Sequence, residues 1–168
     1  MNEAPSLEVR RRPRATLAAS VVTVAAVLGL VFWFVNSPTA LATSDDTVAG
    51  STPAGEGVYL GVARGEAGRT LHLAGVQVHV VADVAAEVTP LLCLGGSVRV
   101  TTDPEVFCAH LVEPDGEVLG GDDSIVLRVV APSPGTVSVD RVRLGYREGV
   151  RWGTREAGAP AEVTVLDR

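Results

Sequence analysis

Nineteen consecutive uncharged residues, LAASVVTVAAVLGLVFWFV from Leu17 to Val35, constrain this chain more than any other feature. Only Ser20, Thr23 and Gly29 interrupt the apolar run. At about 1.5 Å per residue, a helix of that length reaches roughly 28 Å, near the hydrocarbon thickness of a bilayer. A helix packed on a globular core shows a polar face, and this run has none. Arg10, Arg11, Arg12 and Arg14 precede it against Glu3 and Glu8, and no basic residue follows until Arg64. That asymmetry predicts a single crossing with a cytoplasmic N-terminus, an extracytoplasmic remainder, and Phe32, Trp33 and Phe34 at the outer interface.

Two targeting readings compete with the anchor. Ala40-Leu41-Ala42 offers a signal-peptidase-like site before Thr43, but the apolar region of a cleaved signal is normally about 7 to 15 residues, shorter than this run. Arg11-Arg12 suggests a twin-arginine signal, yet Pro13 and Arg14 stand where a hydrophobic pair is expected. The expected organisation is a cytoplasmic Arg-rich segment (1–16), a transmembrane helix (17–35), a flexible linker (36–57) and an extracytoplasmic domain (58–168). The linker assignment rests on NSPTALATSDDTVAGSTPAGEG, in which small and polar residues prevail without a period.

Composition narrows the fold of residues 58–168. Hydrophobic residues make up 46% of the 168-residue chain and charged ones 20%, too apolar for disorder, while 18 glycines and 10 prolines are too many for a helical bundle. Val-rich runs at 58–63, 70–73, 76–82, 97–102, 106–112, 124–131, 136–147 and 162–166 are mostly short, β-branched and bounded by Gly, Pro or Asp. This is the pattern of an antiparallel β-sandwich. Glu113-Pro114-Asp115-Gly116-Glu117 reads as a turn closing a hairpin. Val137 and Val139 share one parity, and Val142, Leu144 and Tyr146 the other. The inward face therefore switches near Asp140-Arg141, at a bulge or a tight turn.

Cys93 and Cys108, the only cysteines, both fall outside the cytoplasm in this topology, so a disulfide between them is expected. Closing a loop of about 15 residues contributes on the order of 3 kcal/mol. The spacing suits a structural staple, not a redox C-x-x-C pair.

Motifs for catalysis or cofactors are not evident. His72, His79 and His110 lack metal-ligand spacing. Gly95-Gly96-Ser97-Val98-Arg99 lacks the final Gly of a nucleophile elbow, and Gly55-Glu56-Gly57 followed by Gly61 misses a dinucleotide fingerprint by one residue. No cofactor and no enzymatic activity are expected. Glu113, Asp115, Glu117, Asp122 and Asp123 cluster on adjacent turns, which supports the alternative of a secreted or tethered ligand- or Ca²⁺-binding β-domain. A net charge of -6 argues against nonspecific nucleic-acid binding.

One stretch departs from the acidic background. Between residues 141 and 155, five Arg face a single Glu, net +4, whereas the rest of the expected exterior is net -12. The candidate contact surface is a basic hairpin made of Arg141, Arg143, Arg147, Arg151 and Arg155, with Trp152 at its tip. Its expected partners are acidic proteins, anionic envelope polymers or lipid headgroups. Ser124 to Pro132 together with this stretch looks like the last three strands of an immunoglobulin-like sandwich. The Arg-rich end, single span, polar linker and the G-T-V-x-V-x-x-V-R-L-x-Y-R and R-x-G-T runs resemble actinobacterial membrane-anchored proteins of unknown function. The resemblance implies address and fold only. The expectation is a single-pass cell-membrane protein that contacts lipid through Leu17 to Val35. Its immunoglobulin-like all-β domain would serve as a non-enzymatic binding or accessory module beside a membrane or envelope protein.

Overall fold

Why the apolar runs become strands is visible in their burial. In the stretch from 57 to 64, Val58, Leu60 and Val62 point inward while the intervening residues are more accessible, and Ala161, Val163 and Val165 repeat the pattern near the C-terminus. The computed structural model describes residues 13–167, with the side chains of its helix described from residue 20 onward. Its elements are α1 (Pro13–Val35), β1 (Val48–Pro53), β2 (Gly57–Arg64), β3 (Leu71–Gln77), β4 (Val80–Ala82), β5 (Glu87–Leu94), β6 (Val100–Thr101), a 3-10 turn (Pro104–Val106), β7 (His110–Val112), β8 (Val118–Leu119), β9 (Ser124–Val130), β10 (Gly135–Val139), β11 (Val142–Glu148), β12 (Arg151–Ala157) and β13 (Ala161–Leu166).

The strands form three ladders, in the orders β1-β13-β10-β4, β12-β11-β3-β8 and β6-β2-β9-β5-β7. All pairings are antiparallel except β1 with β13, which run parallel. One core joins the ladders: Leu60 from β2, Leu71 from β3, Leu92 from β5, Ile125 and Leu127 from β9, Leu144 and Tyr146 from β11 and Val163 from β13 are all almost completely buried. Each such side chain contributes about 1.5–3 kcal/mol relative to exposure. β9 is covered on both faces, since Val126 packs on the opposite side with Cys93, Val98 and Cys108. The chain is thus mostly β and antiparallel, consistent with the expected all-β sandwich, with its strands divided among three ladders.

Several boundaries differ from the sequence reading. Residues 36–57, expected as a flexible linker, are built into the fold: β1 lies within them, and Thr43 bridges Gly158. The small residues of VAGSTP pair along β13 over six positions. The turn at 113–117 forms, with the Glu117 amide donating to the Pro114 carbonyl over 3.2 Å and Gly116 at φ 82°. It does not close a hairpin: β7 pairs with β5 and β8 with β3, so the turn carries the chain from one ladder to another. The run 106–112 divides into the 3-10 turn and β7, and 76–82 into the end of β3 and β4. The parity switch near Asp140-Arg141 is the crossing from β10 to β11, which belong to different ladders.

The side chains of the expected cytoplasmic segment, 1–16, lie outside the described residues, as do those of 17–19. Among the described residues no helix is long and apolar enough to cross a membrane. The described residues therefore give no support to the expected span over 17–35. Within that stretch Val21, Leu28, Leu30, Phe32 and Trp33 are all exposed.

Candidate functional site

The basic hairpin forms, and its geometry sorts the arginines into two sets. β11 and β12 pair from Val142 opposite Ala157 to Glu148 opposite Arg151. The loop between them is only Gly149-Val150, with Gly149 at φ 59° and no non-glycine residue at positive φ, the pattern of a type II′ turn. A two-residue loop inverts parity across the hairpin. Arg143 and Arg147 therefore share the outer face with Trp152, whereas Arg151 and Arg155 share the opposite face. Trp152 is not at the tip, as the sequence suggested; it sits one pair further in, opposite Arg147.

Arg151, Arg155 and, just before β11, Arg141 make contacts within the molecule. Arg141 Nε donates to the Ser44 carbonyl at 3.1 Å, and its guanidinium also pairs with Asp45. Arg155 donates to the Pro38 carbonyl at 3.4 Å, and Arg151 to Thr39 Oγ1 at 3.4 Å. The Arg151 guanidinium also lies 4.1 Å from the centre of the Phe34 ring. Pro38 is buried against β12 because Gly153 leaves room; a Cβ there would stand 2.8 Å from Pro38 Cγ. These three arginines thus tie the segment after α1 to the hairpin, while Arg155 stays exposed.

A charged clamp that the sequence did not reveal completes this tie. Arg69 forms a two-pronged bond to Glu148 at 2.7 and 2.9 Å, and donates to Glu66 at 2.9 Å and the Ala40 carbonyl at 3.1 Å. Glu66 accepts from the Ala42 amide at 2.9 Å, and the Tyr146 hydroxyl donates to the Thr39 carbonyl. The hydrogen bonds from Arg69 hold the Glu148 and Glu66 carboxyls below the ordinary carboxylate range. Glu148 in turn raises Arg69, and burial raises Tyr146. Because both folded carboxyl values are depressed, their contribution is complete above the unfolded value of about 4.3 and is lost as pH falls through the folded values. Hydrogen exchange should show the Ala42 and Ser44 amides protected at neutral pH and opening below about pH 4.3, before the core amides do. Simultaneous opening of clamp and core would refute a separable clamp.

The outer face has a different character. Gly75 of β3 faces Gly145 of β11, and the missing side chains leave a depression of about 420 Å³, with Gln77, Arg147, Trp152 and Thr154 around it. Trp152 is 56% exposed, and Arg143 and Arg147 are exposed without an ion pair among the described residues. The lining holds no carboxylate, imidazole or thiol. It offers a cation, an indole and a shallow floor, which suits contact with a flat or anionic group.

The other candidates are dispersed. Cys93 and Cys108 form the expected disulfide, with Cα atoms 5.2 Å apart. His79 lies 2.8 Å from an Asp140 carboxylate oxygen on the surface, while His72 lies on β3 and His110 on β7. Asp123 of the acidic turns accepts from the Gly95 and Gly120 amides, each at 2.8 Å. Among the described residues no three His, Cys, Asp or Glu side chains converge to hold a metal.

No family model, curated protein or solved structure matches this chain. The site therefore stands on its own chemistry, and the arrangement of arginines, indole and clamp is the basis for any functional reading.

Proposed function

We propose that this chain is a membrane-tethered, extracytoplasmic binding or accessory module. Its N-terminus would be cytoplasmic, α1 would cross the bilayer, and the β-domain, an immunoglobulin-like sandwich with its strands divided among three ladders, would be held outside. The observation that carries this reading is the exposed apolar surface of α1: Val21, Val24, Leu28, Leu30, Phe32 and Trp33 lie on different sides of the helix and are all more than half exposed. A helix apolar all round has no stable place in water and needs an apolar surrounding. The Cys93–Cys108 disulfide agrees with a domain outside the reducing cytoplasm. The exposed face carrying Arg143, Arg147 and Trp152 supplies cations and an indole for non-covalent contact. Cell fractionation with mass spectrometry of the N-terminus tests the reading. The expected product stays in the membrane pellet after alkaline extraction and retains residues 17–35; a mature N-terminus at Thr43 would show a cleaved signal instead.

A further inference from the structure

We infer that the tip of the β11–β12 hairpin docks on anionic lipid headgroups of the same bilayer that α1 enters, an inference that rests on the membrane-anchored reading above. Position is the first argument. The Arg151 guanidinium lies 4.1 Å from the Phe34 ring centre, so the hairpin tip stands beside the end of α1. With Phe34 at the interface, Arg151 stands at its depth, and Val150 and Trp152 are the chain neighbours of Arg151. Both are open: Val150 is 68% exposed and Trp152 56%.

Chemistry is the second argument. An indole and an aliphatic side chain next to guanidinium groups suit the boundary between acyl chains and headgroups, where aromatic rings settle and arginines reach phosphate. Arg147, opposite Trp152 in the ladder, has no ion pair among the described residues, so its charge is available to a lipid phosphate. The one acid at the tip, Glu148, is held by both prongs of Arg69. The tip is therefore positive although the chain as a whole is negative. Continuity with the helix end favours the lipid surface over an acidic protein as the occupant, because the bilayer is present wherever α1 is anchored.

The two tryptophans of the chain allow a direct test, since one marks the helix and the other the hairpin. The full chain carrying Trp33→Phe or Trp152→Phe is reconstituted into vesicles of phosphatidylcholine with or without phosphatidylglycerol, using lipids brominated near the carbonyl end of the acyl chains. The expected result is quenching of both residues in phosphatidylglycerol vesicles, with Trp152 quenching reduced by salt and by omission of the anionic lipid. Arg147→Gln should lower the docked-to-undocked ratio about fivefold, the weight of one basic charge at an anionic surface. Trp33 quenched with Trp152 unquenched would overturn the docking while leaving the anchor intact. Neither quenched would remove the anchor and the docking together. Trp152 responding to an added acidic protein but not to lipid would also overturn the proposal.

Discussion

A chain shortened to begin at residue 58 is expected to lose cooperative unfolding, whereas one beginning at residue 36 is expected to keep it. The sequence pattern puts the domain boundary at 58, but β1 runs alongside β13 over six residue pairs, from Val48 opposite Ala161 to Pro53 opposite Leu166. Val48, Ala54 and Leu41 pack against the core, and Thr52 is buried. Removing this stretch bares an edge of β13 along Ala161, Val163 and Val165 and abolishes the Ala54 amide bond to the Leu166 carbonyl and the Gly55 amide bond to Ala131. Net hydrogen-bond contributions of about 0.5–1.5 kcal/mol each, added to the lost apolar contacts, amount to a large fraction of a typical stability of about 5–15 kcal/mol. Circular dichroism melts of the two fragments provide the comparison. Equal midpoints would mean that residues 36–57 are the tether their composition suggests.

Replacing Cys93 and Cys108 together by Ser should lower the melting temperature by something on the order of 10 °C, from the loss of about 3 kcal/mol of loop-closure constraint. The disulfide joins β5 to the segment after the 3-10 turn, and the two sulfurs form the centre of a small second core with Val98, Val126, Tyr59 and Leu111. Serine hydroxyls there lose the bond and add buried polar groups, so both effects have the same sign. The loss should be localised: amides of residues 95–109 should exchange faster well below the melting point. A double variant with wild-type melting behaviour would show that this second core holds without the bond.

These expectations mark how far the sequence is readable. Strands whose own side chains alternate were legible, so 58–63 and 162–166 match β2 and β13 within a residue or so. β5 was not, because EVTPLLCL contains a proline; Pro90 is tolerated where β5 has a neighbour on one side only, before β7 begins pairing at Leu92. β1 was invisible for a different reason: VAGSTP has little β-forming character and owes its extended shape to β13. The hairpin's net charge was countable, but its division was missed. The short Glu148-Gly149-Val150-Arg151 link was the available signal, since a two-residue turn puts Arg147 beside Trp152 and turns Arg151 and Arg155 to the other face. The clamp left no local trace, because Arg69 and Glu148 are 79 residues apart and only the fold brings them together.

The parallel run of β1 and β13 has a mechanical meaning. The chain enters β1 from the α1 side and leaves β13 at the opposite end of the ladder, so a pull between α1 and the end of β13 acts along both strands in opposite senses. Such a load tries to slide the strands past each other, and the hydrogen bonds of all six pairs resist together instead of unzipping singly. The Arg69 clamp and the Thr43–Gly158 bridge lie ahead of that ladder along the line of force and would yield before it. Under such a load the parallel pair would resist as one unit, by shear.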